Sequence, residues 1–235
     1  MTDPIPIHIK PTAELAPRVL LPGDPGRALL LAQTVLSDPA MFNHHRGLWG
    51  YTGRAADGGW LTVQSTGMGG PSAAIVLAEL ADLGASQFLR VGTCGALAAT
   101  LSLGDFVVVT EALAADGTSR ALGAGERVVP DRGLTASLQT LPAPDLVAGP
   151  VVSTDLFYDG PERQEEAWLA AGALAVEMES AALFALAARR GVRAAALLLV
   201  SDLLVPQRVR IEPRVLQAGE RRLGELAARA LTASA

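Results

Sequence analysis

The stretch Leu89-Arg90-Val91-Gly92-Thr93-Cys94-Gly95-Ala96-Leu97 carries the most structural information in this chain. The apolar run 88–91 contains an arginine, and two glycines, a threonine and a cysteine follow it. This pattern predicts a buried strand that ends in a loop. Glycine lets backbone N–H groups approach an anion closely, and the Arg90 guanidinium supplies a positive charge and a planar fork of donors. The stretch fits either half of a phosphate cradle or an ordinary strand-to-loop junction with a solvent-facing arginine.

A second segment, residues 19–27, repeats this arrangement. A short apolar strand leads into the turn Gly23-Asp24-Pro25-Gly26, and Arg27 stands at the start of a helical pattern over 28–36. Proline near a helix start and aspartate before it are typical entry signals, and the N–H groups and positive dipole end there attract anions. Gly23 and Arg27 are therefore candidate phosphate ligands, although a tight turn with a surface arginine gives the same pattern.

Strand-like and helix-like patterns alternate along the rest of the chain. Strands are expected at 49–54 and 60–64, joined as a hairpin by an Asp-Gly-Gly turn, and at 106–110, 146–152, 173–177 and 194–200. Helices are expected at 72–83, 161–171, 180–190 and 213–232, whereas 114–144 has the composition of a loop or lid. The alternation predicts an α/β fold, with residues 1–235 forming a single domain whose mixed, largely parallel central sheet is flanked by helices.

The composition limits the classes of protein to which the chain can belong. Half of the 235 residues are hydrophobic, which is enough for a substantial core. A formal net charge of −5 argues against nucleic acid as the main partner, so a bound anion should be small. Cys94 is the single cysteine, which fits a reducing compartment. Residues 1–11 do not resemble a signal peptide, and no run reaches the roughly 18 apolar residues of a membrane span, so we expect a cytoplasmic protein.

Two acidic segments stand near predicted strand ends. Glu177 and Glu179 flank Met178, and on an extended backbone side chains two apart share a face, so the pair suits the vicinal diol of a ribose. The alternative is that Glu179 only favours the positive end of the following helix. Ser201 and Asp202 follow the apolar run 194–200, where the aspartate could donate a proton to a ligand or cap a turn.

Several other features are less informative. The glycine cluster 66–70 precedes a helix but lacks the full dinucleotide-binding fingerprint. The three histidines, His8, His44 and His45, have no metal-ligand spacing, and no histidine is paired with a suitably spaced serine or cysteine. The sequence therefore predicts no metal, no organic cofactor and no nucleophile triad.

Seven motifs in this order resemble the trimeric and hexameric nucleoside phosphorylases, the family of purine nucleoside and uridine phosphorylases. The resemblance extends from about residue 8 to residue 230. The motifs are Gly23-Asp24-Pro25-Gly26-Arg27, His45-Arg46-Gly47, Ser65-Thr66-Gly67-Met68-Gly69, Arg90-Val91-Gly92-Thr93-Cys94-Gly95, Asp155-Leu156-Phe157-Tyr158, Val176-Glu177-Met178-Glu179 and Ser201-Asp202. The resemblance implies a nucleoside phosphorylase-like fold, a homohexamer with sites shared between subunits, and reversible phosphorolysis of nucleosides with inorganic phosphate as co-substrate.

The resemblance also implies roles for individual residues. Phosphate would be bound by Gly23, Arg27, Arg90, Val91, Gly92 and Thr93, with Arg46 from a neighbouring subunit. The nucleoside would be bound by Phe157, Val176, Glu177, Met178, Glu179 and Ser201, with His8 from a neighbouring subunit. Asp202 would be the catalytic acid that protonates the departing base. A following arginine would assist it, for which Arg214 is the nearest candidate and Arg210 the next.

The expected substrate rests on two places in the sequence. Ser201-Asp202 resembles the purine enzymes, whereas uridine phosphorylases carry a glutamine and an arginine in the loop after the Phe-Tyr pair. That loop reads Asp159-Gly160-Pro161-Glu162-Arg163 here, with proline in place of the glutamine. Purine ribonucleosides or deoxyribonucleosides are therefore the expected substrates. A uridine phosphorylase, a hydrolytic nucleosidase and a non-catalytic nucleoside-binding protein are the alternatives.

Overall fold

The computed structural model describes residues 6–158, 160–161 and 163–233. Residues 1–5, which belong to the segment without a signal-peptide pattern, and Asp159 and Glu162 of the loop motif lie outside the described residues. The elements in chain order are β1 Arg18–Leu21, α1 Pro25–Val35, β2 Ser37–Asn43, a 3-10 turn His45–Gly47, β3 Gly50–Arg54, β4 Trp60–Gln64, α2 Gly70–Asp82, β5 Gln87–Ala96, β6 Phe106–Ala114, α3 Gly117–Ala121, β7 Arg127–Val128, α4 Arg132–Gln139, β8 Leu146–Ser153, α5 Gln164–Ala170, β9 Ala175–Glu177, α6 Ser180–Arg190, β10 Arg193–Leu203, β11 Val209–Arg210 and α7 Pro213–Ala233.

The structure confirms the predicted hairpin and most helices, and it corrects three predictions. The loop expected after Val91 is strand, because β5 continues to Ala96 and pairs with β10 along its whole length. Ser201 and Asp202 lie inside β10 instead of after it. The segment 114–144, expected to be a loop or lid, contains α3, β7 and α4. In each case long-range pairing or packing overrides a composition that is weak for regular structure.

The described strands form one mixed sheet with the order β11-β10-β6-β8-β9-β5-β1-β4-β3-β2, and β7 pairs with β6. A further pairing joins β10 to β5, so that β10, β6, β8, β9 and β5 close into a ring. Parallel pairing joins the central strands β4, β1, β5 and β10, while β2, β3 and β11 add antiparallel edges. The predicted mixed α/β architecture is confirmed.

Helices cover both faces of the sheet. Along β10, Ala194, Ala196, Leu198 and Val200 pack with α2 and α6, while Ala195, Leu197 and Leu199 pack with α1, α4 and α7. This alternation is the period of two of an extended strand, and it buries both faces, which explains why the sequence of β10 is apolar throughout. No helix in the described ranges is both long and apolar enough to cross a bilayer.

The parallel strands also determine where a ligand can bind. Because β1, β5 and β10 run in one direction, their carboxyl ends lie at the same edge of the sheet. The antiparallel strand β9 pairs with the end of β5, opposing Val176 to Gly95, and brings the following acidic segment to that edge.

Candidate functional site

A cavity of about 360 Å³ opens at the carboxyl ends of β1, β5 and β10. Most residues singled out from the sequence line it, although they are spread over 180 positions of the chain. Those that line it are Gly23, Arg27, Arg90, Thr93, Phe157, Val176, Glu177, Met178, Glu179, Ser201 and Asp202. Two groups of charged side chains are found in its wall, one around Arg90 and one around Asp202.

Arg90 is a buried cation at one part of this cavity. It is 5% exposed, its Nη2 donates to Glu179 Oε2, and its Nε lies 3.8 Å from Glu177 Oε2. Its Nε and Nη1 make no hydrogen bond to any described residue. Unsatisfied donors on a buried guanidinium are costly, and an anion in the cavity is the partner that would satisfy them.

Glycines give the Arg90 guanidinium its space. A Cβ at Gly92 would stand 2.8 Å from Arg90 Nη2 and 3.0 Å from its Cζ, closer than real Cβ atoms come. A Cβ at Gly23 would stand 3.5 Å from Arg90 Nη1. Gly92 therefore lies beneath the arginine and makes room for it, and it does not itself line the cavity.

The start of α1 lies beside Arg90, because Leu21 of β1 pairs with Arg90 of β5. Asp24 caps the helix by accepting a hydrogen bond from Arg27 N at 2.6 Å. The Arg27 side chain is 11% exposed, and its Nε donates to Glu220 Oε1 of α7 at 2.8 Å. The contact with α7 holds this second cation at the cavity wall.

The two glutamates of the acidic segment have different environments. Glu177 accepts hydrogen bonds from Ser153 Oγ and from the backbone N–H groups of Glu179 and Ser180, so it caps the start of α6. Its burial, followed by the negative charge of Glu179, raises the pKa of its carboxyl. Glu179 instead accepts from Gly69 N at 2.6 Å and from Arg90. Glu179 is thus the carboxylate that connects Arg90 to the segment around Gly69.

Asp202 faces the cavity because of a β-bulge in β10. The register with β5 shifts between Val200 and Asp202, which leaves Ser201 as the extra residue. Asp202 is 6% exposed; its Oδ2 accepts from Ser201 Oγ at 2.8 Å, and its Oδ1 accepts from Arg208 Nε at 3.0 Å. Arg210 Nε lies 3.3 Å from the same Oδ1.

Of the two arginines expected as candidates to assist Asp202, Arg210 contacts it and Arg214 does not. Arg214 lies in the first turn of α7, is exposed, and is absent from the cavity wall. The antiparallel strand β11 pairs Arg210 directly with Asp202, and Arg208, which directly precedes β11, forms a second ion pair with the same carboxylate.

The cavity near Asp202 is apolar and aromatic. Phe157 lies under the Arg208 guanidinium, whose Cζ is 4.6 Å from the ring centroid, and it meets Tyr158 edge to face at 4.8 Å. Phe157 and Tyr158 are 54% and 73% exposed. Val176, Leu204 and Trp168 complete this apolar wall.

Three other predicted residues lie outside the cavity of their own chain. The side chain of Val91 points into the core between the sheet and the helices α1, α4 and α7 and is fully buried. The His8 ring contacts Glu79 Oε1 of α2 at 2.6 Å. Arg46 is exposed in the 3-10 turn, with a left-handed φ of 58°.

The structure also adds cavity residues to which the sequence analysis gave no role in the site. These are Asp24, Met68, Cys94, Gly95, Thr154, Leu156, Gly160, Gln164, Glu165, Trp168, Leu204 and Arg208. Most of them neighbour a predicted residue, so position at a strand end is the signal that could have found them. Burial, followed by the charges of Glu177 and Asp202, raises the pKa of the Cys94 thiol, which makes it unreactive. No cluster of acidic, histidine and cysteine side chains in the described ranges has the arrangement of a metal site.

Comparisons with known proteins agree with this geometry. The family model of the phosphorylase superfamily matches residues 17–232. A purine nucleoside phosphorylase of the DeoD type from Clostridium beijerinckii is 38% identical over 207 residues, which cover 83% of this chain and 85% of the relative. A guanosine phosphorylase from Halorubrum lacusprofundi is 40% identical over 190 residues, 79% of this chain and 78% of the relative. The crystal structure of a uridine phosphorylase from Vibrio fischeri ES114 has a TM-score of 0.84 and 25% sequence identity, and covers 94% of this chain and 93% of its own.

Proposed function

The chain belongs to the phosphorylase superfamily, and on this premise we propose that it is a purine nucleoside phosphorylase. It catalyses the reversible reaction of a purine ribonucleoside or deoxyribonucleoside with inorganic phosphate, which gives the free base and the sugar 1-phosphate. The relatives named as purine nucleoside and guanosine phosphorylases support the choice of a purine. Pro161, in place of the glutamine typical of the uridine enzymes, supports it as well.

The observation that carries this proposal is the environment of Arg90. A buried guanidinium with two unsatisfied nitrogens calls for a small anion, and phosphate is the anion that the proposed reaction consumes. The same guanidinium binds Glu179, whose carboxylate suits the sugar hydroxyls. One side chain thereby positions the nucleophile relative to the sugar, which lowers the entropic part of the barrier.

The reaction needs stabilisation of two developing charges. As the glycosidic C1′–N9 bond breaks, positive charge develops on the sugar and negative charge on the purine. Phosphate held by Arg90, Arg27 and the Gly23 and Thr93 segments faces the sugar, and a phosphate oxygen forms the new bond to C1′. Met178 and Glu179 bind the sugar, and Phe157 and Val176 contact the base.

Asp202 is the general acid of the proposed mechanism. Its proton passes to N7 of the purine as the base departs, so the base leaves neutral. Ser201, Arg208 and Arg210 hold the carboxyl in place through its two oxygens. General acid assistance of this kind contributes about 10²–10⁴ in rate.

The proposed assembly is a homohexamer in which Arg46 and His8 complete the site of a neighbouring subunit. Both residues lie outside the cavity of their own chain, and the left-handed φ of Arg46 is the kind of strain that functional sites retain. Large apolar side chains are also exposed in the same part of the sequence, namely Ile7, Met41, Trp49, Met68 and Ile75. An apolar surface of this kind is typical of a subunit interface.

Residues 1–235 are proposed to form one domain, and the cytoplasm is the proposed compartment.

A phosphate-dependence measurement tests the proposed function. Base release from inosine should require phosphate, and Arg90→Lys, which keeps one positive charge beside Glu179, should raise the KM for phosphate more than the KM for inosine. Circular dichroism checks that the variant is folded. Rapid base release without phosphate would identify a hydrolytic nucleosidase, and the absence of release would favour a binding protein.

Uridine is the second candidate substrate, favoured by Arg163 and by the likeness to the uridine phosphorylase structure. A panel of inosine, guanosine, adenosine and uridine at saturating phosphate separates the two candidates. We expect the purine nucleosides to have the higher kcat/KM. A higher kcat/KM for uridine would contradict the purine assignment while leaving phosphorolysis intact.

A further inference from the structure

The β10–β11 hairpin places two arginines around the catalytic acid, and one of them is held in a fixed orientation. Arg208 and Arg210 both direct Nε toward Asp202 Oδ1, at 3.0 Å and 3.3 Å. No described residue accepts a hydrogen bond from Nη1 or Nη2 of Arg208. The side chain of Arg208 is 39% exposed, compared with 74% for Arg210. Arg208 therefore retains free donors within the cavity wall.

The Arg208 guanidinium also lies over the Phe157 ring. The Cζ of Arg208 lies 4.6 Å from the centroid of the Phe157 ring, within the range of a cation–π contact. Both residues line the cavity, as does Asp202. Because Asp202 binds Nε, the Nη1 and Nη2 groups of Arg208 remain available as donors beside the acid.

The chemistry of a purine assigns a partner to those N–H groups. N7 and the substituent on C6 lie next to each other on one edge of the base. In guanine and hypoxanthine this edge carries two acceptors, N7 and O6, whereas in adenine the C6 substituent is an amino donor. A donor placed beside the group that protonates N7 therefore faces an acceptor in 6-oxopurines and another donor in 6-aminopurines.

We infer that Arg208 is a specificity-determining residue that selects 6-oxopurine nucleosides by hydrogen bonding to O6 while Asp202 serves N7. The inference rests on the proposed function and adds the class of base to it. Arginine suits this role because its planar fork can hold Asp202 through Nε and still donate from an Nη group. The O6 atom gains a charge-assisted hydrogen bond, and the developing negative charge of the departing 6-oxopurine lies beside a cation.

The experiment compares inosine with adenosine in the wild-type protein and in two variants. Arg208→Met removes all donors and keeps an unbranched side chain, and Arg208→Lys keeps the positive charge beside Asp202. Arg221→Met is the matched control, because Arg221 is an exposed arginine of α7 outside the cavity. The kcat/KM of each nucleoside is measured at saturating phosphate. Calorimetry measures the Kd of hypoxanthine and of adenine in phosphate buffer, which needs no turnover.

Arg208→Met should lower the kcat/KM of inosine about tenfold more than that of adenosine, and should weaken hypoxanthine binding by a similar factor without weakening adenine binding. Arg208→Lys should lose less of the preference for inosine, and Arg221→Met should lose none. Equal losses for both nucleosides in both variants would overturn the inference, since Arg208 would then only hold Asp202. Failure of the wild-type protein to cleave any purine nucleoside would instead refute the proposed function, and the Kd values of the bases would still test the inference.

Discussion

Asp202 accepts hydrogen bonds from Ser201 and Arg208. Its proposed role as a general acid can be tested by replacing a single carboxyl oxygen with nitrogen. Asp202→Asn keeps the size of the side chain but removes the acidic proton. Turnover of inosine should fall by about 10²–10⁴, because its base must be protonated at N7 on departure. Turnover of 7-methylguanosine, whose base already carries a positive charge, should fall much less. Steady-state kinetics with both nucleosides checks this, and equal losses would mean that Asp202 only positions the base.

Gly92 offers a second test, directed at the anion site. Gly92→Ala places a methyl group 2.8 Å from Arg90 Nη2, so the guanidinium must move away from its present position. We expect the KM for phosphate to rise at least about tenfold, which corresponds to about 1.4 kcal/mol, while the protein remains folded. Phosphate-dependence kinetics provides the measurement. Gly125→Ala is the control, because an added Cβ there meets nothing within 4 Å; the same rise in both variants would contradict the role given to Gly92.

Single residues also show how far the sequence alone could predict the site. Arg90, Glu179 and Asp202 were predictable because each stands beside an apolar run, and strand ends gather ligands in this fold class. Arg208 was not, because its approach to Asp202 depends on the antiparallel return of β11, a two-residue strand without a pattern of its own. Arg214 was favoured by its distance from Asp202 along the sequence. That distance carries no information about the antiparallel turn that brings Arg208 and Arg210 back to Asp202.

Among the elements, helix α2 binds the segment that precedes β1. Glu79 accepts hydrogen bonds from the His8 ring and from the backbone N–H groups of Ile7, His8 and Ile9. Burial acts to raise the pKa of the Glu79 carboxyl, but the hydrogen bonds from His8 and from these backbone groups outweigh it, so the pKa is lowered. A lowered pKa in the folded state means that the charged carboxylate contributes stability at neutral pH.

Glu79→Gln should therefore lower the free energy of unfolding at pH 7 by about 1–2 kcal/mol. The difference in the free energy of unfolding between wild type and variant should have its full size above pH 4.5, the ordinary pKa of the Glu79 carboxyl. It should become smaller as the pH falls through the lowered pKa of the folded state. Chemical denaturation at a series of pH values measures it. Glu225→Gln, at an exposed position of α7, is the control. A deficit that persists unchanged at low pH would show that packing, and not the charge, is responsible.

Strand β5 shows why some elements escape prediction from local sequence. Gly92 and Gly95 weaken its intrinsic preference for a strand, so the pattern predicts a loop after Val91. Strand β10 pairs with β5 from Arg193–Gln87 to Leu203–Ala96. This pairing stabilises the extended backbone at the two glycines, which have no side chain to favour a strand. Gly92 leaves room for Arg90 and Gly95 leaves room for Leu204, so packing at the cavity, and not strand preference, explains the two glycines.

At the scale of the whole molecule, the proposed sharing of sites predicts complementation. A chain with Arg46→Ala is mixed with a chain carrying Asp202→Ala, and the two are refolded together. If each site takes Asp202 from one subunit and Arg46 from its neighbour, random pairing restores about a quarter of all sites. Base release and light scattering measure activity and mass. Fully active wild-type monomers, or mixed oligomers with no restored activity, would contradict the shared site.

The pairing of β5 with β10 has a consequence for how such an enzyme can diversify. Arg90 and Asp202 project from two neighbouring strands of one continuous ladder, so the distance between the anion site and the acid is built into the sheet. Phe157 and Arg208, by contrast, lie in connections outside the regular elements, between β8 and α5 and between β10 and β11. Under the proposed function, mutations in those connections would change which base is accepted while the groups that break the glycosidic bond stay in place. Evolution could then alter the preferred nucleobase through loop substitutions and keep the chemistry constant.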